Sequence, residues 1–307
     1  MGRYVARRLL LTIPVLIGAS FLIFAMVYAL PGDPIRALAG DRPLPESVQA
    51  ALRAEYNLND PLLVQYGKYA LGLVQGDFGT DFSGRPVLQT ITDRLPVTAT
   101  LTGVAVVFEV LIGITAGVLA GLRRGSFLDN LVLVSTTLLV SIPVLVLGFT
   151  SQYVFGVRLG VVPVAGISEG LYSYVMPGLV LASISLAYVA RLTRTSLADS
   201  LRADYVRTAR AKGLDRRTVV IRHTLRNSLI PVVTFIGADI GGLLGGAIIT
   251  ESVFNIPGLG RAVFDSVSRQ EGAVVVGIIT LLVFFFIFFN LVVDVLYAVL
   301  DPRIRYE

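Results

Sequence analysis

Six long runs of apolar residues dominate this 307-residue chain and leave few choices of fold. A helix needs roughly 20 mostly apolar residues to cross a bilayer core, and in hydrocarbon it satisfies its own backbone hydrogen bonds. The runs lie at about Leu9–Leu30, Pro96–Ala120, Leu128–Phe155, Val175–Leu192, Leu229–Thr250 and Val274–Leu300. They predict an all-α membrane protein with six transmembrane helices. The first run follows Arg3, Arg7 and Arg8, as in a signal peptide, but its 22 residues exceed a signal core of about 7 to 15 and no small-x-small cleavage site follows. It reads as a retained helix. Pro177 and Pro231 fall in the first turns of the fourth and fifth helices, where a missing N–H costs little, and Pro143 is expected to bend the third.

Composition narrows the function. Hydrophobic residues make up 54% of the chain and charged ones 15%, against about 25% charge in a soluble globule, and mean hydropathy is +0.76. A cytosolic enzyme is excluded. With no cysteine and a single histidine, His223, the chain has no thiol nucleophile, no Cys-based metal site and no imidazole cluster. The 30 glycines and 14 prolines suit membrane helices, which tolerate both. Gly113, Gly117 and Gly121, and likewise Gly237, Gly241 and Gly245, recur at four-residue spacing and predict close helix contacts, with a moving helix pair along a pathway as the other reading for the second set.

Charge sets the orientation. Of the 26 Lys and Arg residues, 17 lie in segments 1–8, 121–130, 190–228 and 301–307, and the alternate segments hold 9. With acids subtracted, the first set carries +11 and the second −3, so the positive-inside rule places both termini in the cytoplasm. Three acids, Glu109, Asp239 and Asp294, lie well inside the runs, where charge is costly and function is the first suspicion. Glu109 and Asp239 are expected either to line a polar pathway or to make a structural hydrogen bond to a neighbouring helix. Asp294, nearer the cytoplasmic end, is expected to snorkel or to pair with an arginine.

The chain therefore divides into an N-terminal segment and first helix (1–30), an external insertion (31–95), a five-helix core (96–300) and a tail (301–307). The insertion carries turn signals and one expected helix, about Glu46–Tyr56. The core includes a pair of short internal helices at 199–226, hinged at Gly213, and an external re-entrant segment at 254–272. Asp199 or Asp204 is a candidate cap for the first short helix, and Gly213 can take the left-handed conformation that ends it. The second, from about Asp215, would place Val219, Val220, Leu225 and Leu229 near one face. Ten basic residues in 190–228 fit lipid head groups or a soluble partner; Tyr205, the one aromatic there, gives no base-stacking surface.

The stretch Arg207-Thr208-Ala209-Arg210-Ala211-Lys212-Gly213 with the following Arg222-His223-Thr224-Leu225-Arg226-Asn227 resembles the cytoplasmic coupling loop of ABC importer permeases of the dipeptide, oligopeptide and nickel branch. Against the wider Glu-Ala-Ala-x3-Gly-x9-Ile-x-Leu-Pro pattern, Ala209, Gly213 and Leu225 match, while the Glu and the final Pro do not. The likeness continues at Pro31-Gly32-Asp33-Pro34, Gly76-Asp77-Phe78-Gly79, Gly84-Arg85-Pro86-Val87, Ser141-Ile142-Pro143, Pro257-Gly258-Leu259-Gly260 and Asp301-Pro302-Arg303-Ile304-Arg305.

The resemblance implies the type I importer permease fold in the bacterial cytoplasmic membrane. It implies a pore subunit and not an enzyme, binding no cofactor itself; the chain has no Gly-x4-Gly-Lys-Ser/Thr phosphate loop. ATP and Mg would sit on two partner ATP-binding subunits, with a homologous second permease completing the pathway, a solute-binding protein delivering substrate, and membrane lipid around the whole. On this reading Ala209 and Gly213 permit close approach to an ATP-binding subunit, Leu214 and Leu225 anchor it, Asp204, Arg207 and Lys212 orient it, and Tyr205 belongs to the same coupling segment. Pro143, Glu109, Asp239, Pro257 and Gly258 belong to the gate or pathway, either acid being a candidate for a peptide's amino group. Peptide uptake, dipeptide first, is the expected activity; nickel, oligopeptide or glutathione uptake shares the architecture, and a proton-coupled transporter is the remaining alternative. An intramembrane enzyme lacks its motifs.

Overall fold

The computed structural model describes residues 2–29, 35, 45–55 and 57–300. The motifs at 31–34 and 301–305, Tyr56, and the tail 301–307 lie outside the described residues. The elements are α1 (Gly2–Tyr28), α2 (Glu46–Glu55), α3 (Leu62–Val74), α4 (Val87–Phe108), α5 (Thr115–Leu122), α6 (Phe127–Ser141), α7 (Val144–Ser151), α8 (Val175–Ser200), α9 (Asp204–Ala211), α10 (Ile230–Val253), α11 (Leu259–Ser268) and α12 (Gly272–Leu300). A π-helical stretch, Glu109–Ile114, joins α4 to α5 without a break, and another, Gln152–Arg158, extends α7. Among the described residues no strand forms beyond one isolated bridge, Thr80 to Pro86.

Among the described residues, five continuous helices are long and apolar enough to cross a membrane: Arg7–Tyr28, Val87–Leu122, Gly170–Ser200, Ile230–Val253 and Gly272–Val295. The expected third span is not one helix. It breaks into Phe127–Ser141 and Val144–Arg158, which meet at 102°. Ile142 is extended and Pro143 caps α7 at φ −56° and ψ 136°, because a residue before proline is disfavoured in the helical region. What sequence reading takes for a bend is therefore a full break. The second span starts earlier than expected, at Val87, with Pro96 inside it, and α8 runs on past Leu192 to Ser200.

The most enclosed helix is α8. It packs between α4, α5, α6 and α10. Leu101 and Ala105 of α4, Val180 and Leu181 of α8, and Leu243 and Ala247 of α10 share one apolar core. A second core joins Val87, Leu244, Leu259, Val263 and Ile278 where α11 meets α4, α10 and α12. Small residues let these helices touch. A Cβ on Gly117 would stand 2.5 Å from the Ala190 carbonyl and from Thr193, and one on Gly241 would stand 2.7 Å from the Phe286 backbone. The glycine rows thus pack α5 on α8 and α10 on α12, as close-contact positions do. Gly245 has open space beside it.

Helix α1 lies outside this bundle against α12. Arg8 pairs with Asp294 at 3.0 Å, the arginine pairing expected for that acid. Gly272, at the start of α12, meets Val27 and Tyr28 at the far end of α1. The start of α1, the end of α12 and the 204–228 segment therefore share one side of the molecule.

Candidate functional sites at the two ends of the bundle

At one end, α8 leads into α9, whose sequence Asp204-Tyr205-Val206-Arg207-Thr208-Ala209-Arg210-Ala211 is strongly amphipathic. Val206 and Ala209 turn inward onto Val219 and make a small core, each at most 6% exposed. Neither Asp199 nor Asp204 caps this helix: Asp199 is still within α8, the cap position is Ala203, and no side chain accepts there. Gly213 ends the turn at φ +79°, a left-handed position that costs a side chain free energy. The Gly213 N–H donates to the Arg210 carbonyl at 2.9 Å, and that of Leu214 to Ala209 at 3.3 Å. Asp215 then caps the helical segment 216–228, accepting from the Thr218 N–H at 3.1 Å. That hydrogen-bonding to Thr218 holds its carboxyl below the usual range.

The pair is tied down at its base. The Ser196 hydroxyl of α8 donates to the Ser228 carbonyl at 2.8 Å. Asp129 at the start of α6 is 2% exposed and forms a two-pronged ion pair with Arg194 of α8, one prong at 2.8 Å, and accepts from the Gly125 N–H at 2.8 Å. A bidentate carboxylate–guanidinium pair fixes angle as well as distance.

The sequence-derived residues fall into two groups here. Asp204, Tyr205, Arg207, Lys212, Gly213 and Leu214 are exposed, with the Arg207 and Asp204 side chains 76% and 95% open and 3.4 Å apart. Ala209 is not on that surface. It is the small residue that lets α9 close on Val219, and Leu225 is half-buried. Arg210, Arg216 and Arg217 extend the exposed basic rim.

At the other end, the segment Pro257-Gly258-Leu259-Gly260 starts α11, and a carboxylate from another helix serves as its cap. Glu251 of α10 is fully buried; it accepts from the Thr98 hydroxyl at 2.6 Å and the Arg261 N–H at 3.0 Å. Thr98 in turn accepts from the Leu259 N–H at 2.8 Å. These donors are the open N–H groups of a helix start, which favours negative charge. The geometry explains two glycines. A Cβ on Gly258 would collide with the Glu251 carboxylate, and one on Gly260 would stand 2.5 Å from Ile248 Cα. Pro257 and Gly258 thus lead into a helix docked on the bundle and not only a surface turn.

Within the membrane, Glu109 sits in the π-helical stretch, fully buried, with neither carboxylate oxygen hydrogen-bonded. Asp239 is its charged neighbour and lies beside Ser185. Glu109 faces this chain's own helices and not an open surface. Pro143 is exposed. Helix α6 is 15 residues long, or about 22 Å at 1.5 Å per residue, short of a bilayer core of about 30 Å.

Thr98, Glu251, Asp129 and Arg194 were not among the residues sequence reading singles out. Asp129 and Arg194 counted only toward the positive side and Glu251 only toward the opposite one. Their partners lie 65 and 153 residues away, and no local pattern announces such pairs. The one signal available was an acid at the end of an apolar run, six residues before Pro257.

A model of the family described as binding-protein-dependent transport system inner membrane component matches residues 113–306, and one for the N-terminal part of such membrane components matches residues 1–102. Over all of both chains, this one is 42% identical to the glutathione transport system permease protein GsiC of Salmonella paratyphi A. It is 36% identical, again over all of both, to the dipeptide transport system permease protein DppB of Alkalihalophilus pseudofirmus. Its fold is similar to a chain of the inward-facing MetNI methionine ABC transporter, with a TM-score of 0.58 at 18% identity over 69% of this chain and 97% of that one. A chain of an amino acid ABC transporter gives 0.56 at 18% identity over 68% and 94%. The chain belongs to the inner membrane components of binding-protein-dependent transport systems: it is a multi-pass permease subunit of an ABC importer, and ATP is hydrolysed on separate subunits.

Proposed function

We propose that this permease imports small peptides delivered by a solute-binding protein, and that α9 with segment 216–228 is the surface through which an ATP-binding subunit moves it. The observation that carries the coupling role is the rigid pair itself. It is closed by Val206, Ala209 and Val219, hinged at Gly213, braced on α8, and exposed on its basic face. Arg207, Lys212 and Tyr205 meet the partner, Leu214 adds apolar contact, and Ala209 and Leu225 set the spacing and seating of the pair from within. The excess of positive charge on this side supports a cytoplasmic orientation for both termini.

The exposed break at Pro143, after a helix too short to span, supports a pathway against a second permease, because a break in helical backbone at membrane depth is tolerated only beside water or protein. Asp239, partly buried beside Gly242 with one carboxylate oxygen enclosed and unpartnered, is the acid we assign to a peptide's amino group. On the opposite face, α11 closes the pathway externally, with Glu251 holding Pro257 and Gly258 in register. Peptides as the substrate class rest on the relatives' dipeptide and glutathione permeases, glutathione being itself a small peptide. The test is the assembled complex with its binding protein in vesicles, assayed for ATPase stimulation by dipeptides, longer peptides, glutathione and nickel. Stimulation by dipeptides or glutathione is expected; stimulation by nickel alone would overturn the substrate class.

A further inference from the structure

Helix α3 belongs, on sequence reading, to a segment outside the lipid, yet its contacts are deep. The Tyr66 hydroxyl donates to the Ile17 carbonyl of α1 at 3.1 Å and shares a hydrogen bond with Ser20 at 2.9 Å. Ile17 lies midway between Arg8, paired with Asp294, and Tyr28. At a rise of 1.5 Å per residue it is about 14–16 Å from either, the middle of a core about 30 Å thick. On the other flank, Tyr69 donates to Thr280 of α12 at 3.1 Å, two turns or about 12 Å inside the start of that helix.

The surface of α3 matches this depth. Helical spacing brings Leu63, Leu71 and Val74 together, and they are 70%, 66% and 87% exposed. A 13-residue helix is too short to span but has the length of an interfacial segment. Its one charge, Lys68, is held at 2.6 Å from both Asp60 and Asn57. Below α3, a groove of about 650 Å³ opens between α1 and α12, lined by Leu16, Leu73, Val74, Leu281 and Phe284 among others. The hydroxyls in its wall, Ser20, Tyr66 and Thr280, already have partners in protein, so the groove offers water little to bond.

We propose that α3 is an in-plane membrane helix buried in the leaflet opposite the 204–228 segment, and that a lipid acyl chain fills the groove beneath it. Mid-membrane contacts on both flanks leave lipid as the medium around Leu63, Leu71 and Val74. The apolar sector gains by burial there as amphipathic interfacial helices do. The segment 57–78 is thus an anchor in the bilayer instead of a cap in water.

The chain has no cysteine, so a nitroxide can be placed at Leu71→Cys, Val74→Cys or Phe284→Cys in a transporter whose partner subunits are cysteine-free, reconstituted in phosphatidylcholine vesicles. Collision rates with oxygen, which partitions into lipid, and with a water-soluble nickel chelate read depth. An oxygen-to-nickel ratio several-fold higher at all three positions than at Glu46→Cys on α2 is expected. Nickel collisions at Leu71 and Val74 equal to those at Glu46 would place α3 in water and overturn the proposal. Protection from both reagents would show that a second permease covers the groove, and would overturn it equally. Glutathione- or dipeptide-stimulated ATPase in the same vesicles reports separately on the transport reading.

Discussion

The two ends of the bundle treat polar groups in opposite ways. At the α11 end, Glu251, Thr98 and the first N–H groups of α11 are used up on one another in a buried network. At the α9 end, the brace of Asp129 and Arg194 is buried, but the lever beyond it presents Asp204, Arg207 and Lys212 to the outside, paired weakly or not at all within α9. A satisfied network rigidifies what it joins, whereas exposed charge is free for a partner. On the coupling role proposed above, the difference separates residues that hold the permease together from residues that would receive a force.

Substitutions can break this contrast, and the largest effect is expected at the brace. Asp129→Ala leaves Arg194 without its partner in a site where that side chain is 16% exposed. Losing half of a buried pair costs about 3–5 kcal/mol, so thermal unfolding in detergent should move sharply down. Adding Arg194→Ala should cost less than the sum of the two single changes. Next is Glu251→Ala, which strips the buried acceptor from Thr98 and Arg261 at about 1–3 kcal/mol per orphaned donor. Glu251→Gln should lose less. If Glu251→Ala unfolds at the wild-type temperature, α11 is not held as described.

A middling effect is expected at Gly117→Val, which would press on Ala190 and Thr193 and cost about 1–3 kcal/mol by overpacking. The smallest effect on stability, within about 0.5 kcal/mol, is expected at Arg207→Ala, because exposed ion pairs contribute little. Uptake should nonetheless fall in that variant. A loss of stability instead would place Arg207 with the structural residues and blur the contrast between the ends.

Much of this arrangement could be read from the sequence, and its gaps have physical causes. Apolar length found the spans because hydrocarbon demands self-satisfied helices, and Gly213 was readable because a left-handed turn favours one residue type. The break at Ile142 and Pro143 was underestimated, since a proline gives the place of a distortion and not its angle. Helix α3 was missed because its 13 residues fall short of a span and carry Gly67 and Gly72, poor helix formers; only its contacts with α1 and α12 reveal its depth. Ala209 was recognised but its direction was not, because a small residue in a short helix suits a partner's surface or its own core equally. The Glu251 cap and the Asp129–Arg194 brace are contacts between distant segments, which periodicity cannot report.

The central claim is that a rigid pair hinged at Gly213 transmits the ATP-driven movement, and Gly213→Val in the reconstituted transporter tests it most directly. Strain of about 1–2 kcal/mol at a left-handed residue is enough to unseat the hinge roughly tenfold while leaving the membrane bundle folded. Peptide uptake per ATP hydrolysed should drop by about that factor, with the unfolding temperature of the membrane part little changed. Uptake per ATP equal to wild type, in a variant shown to be assembled, would contradict the account.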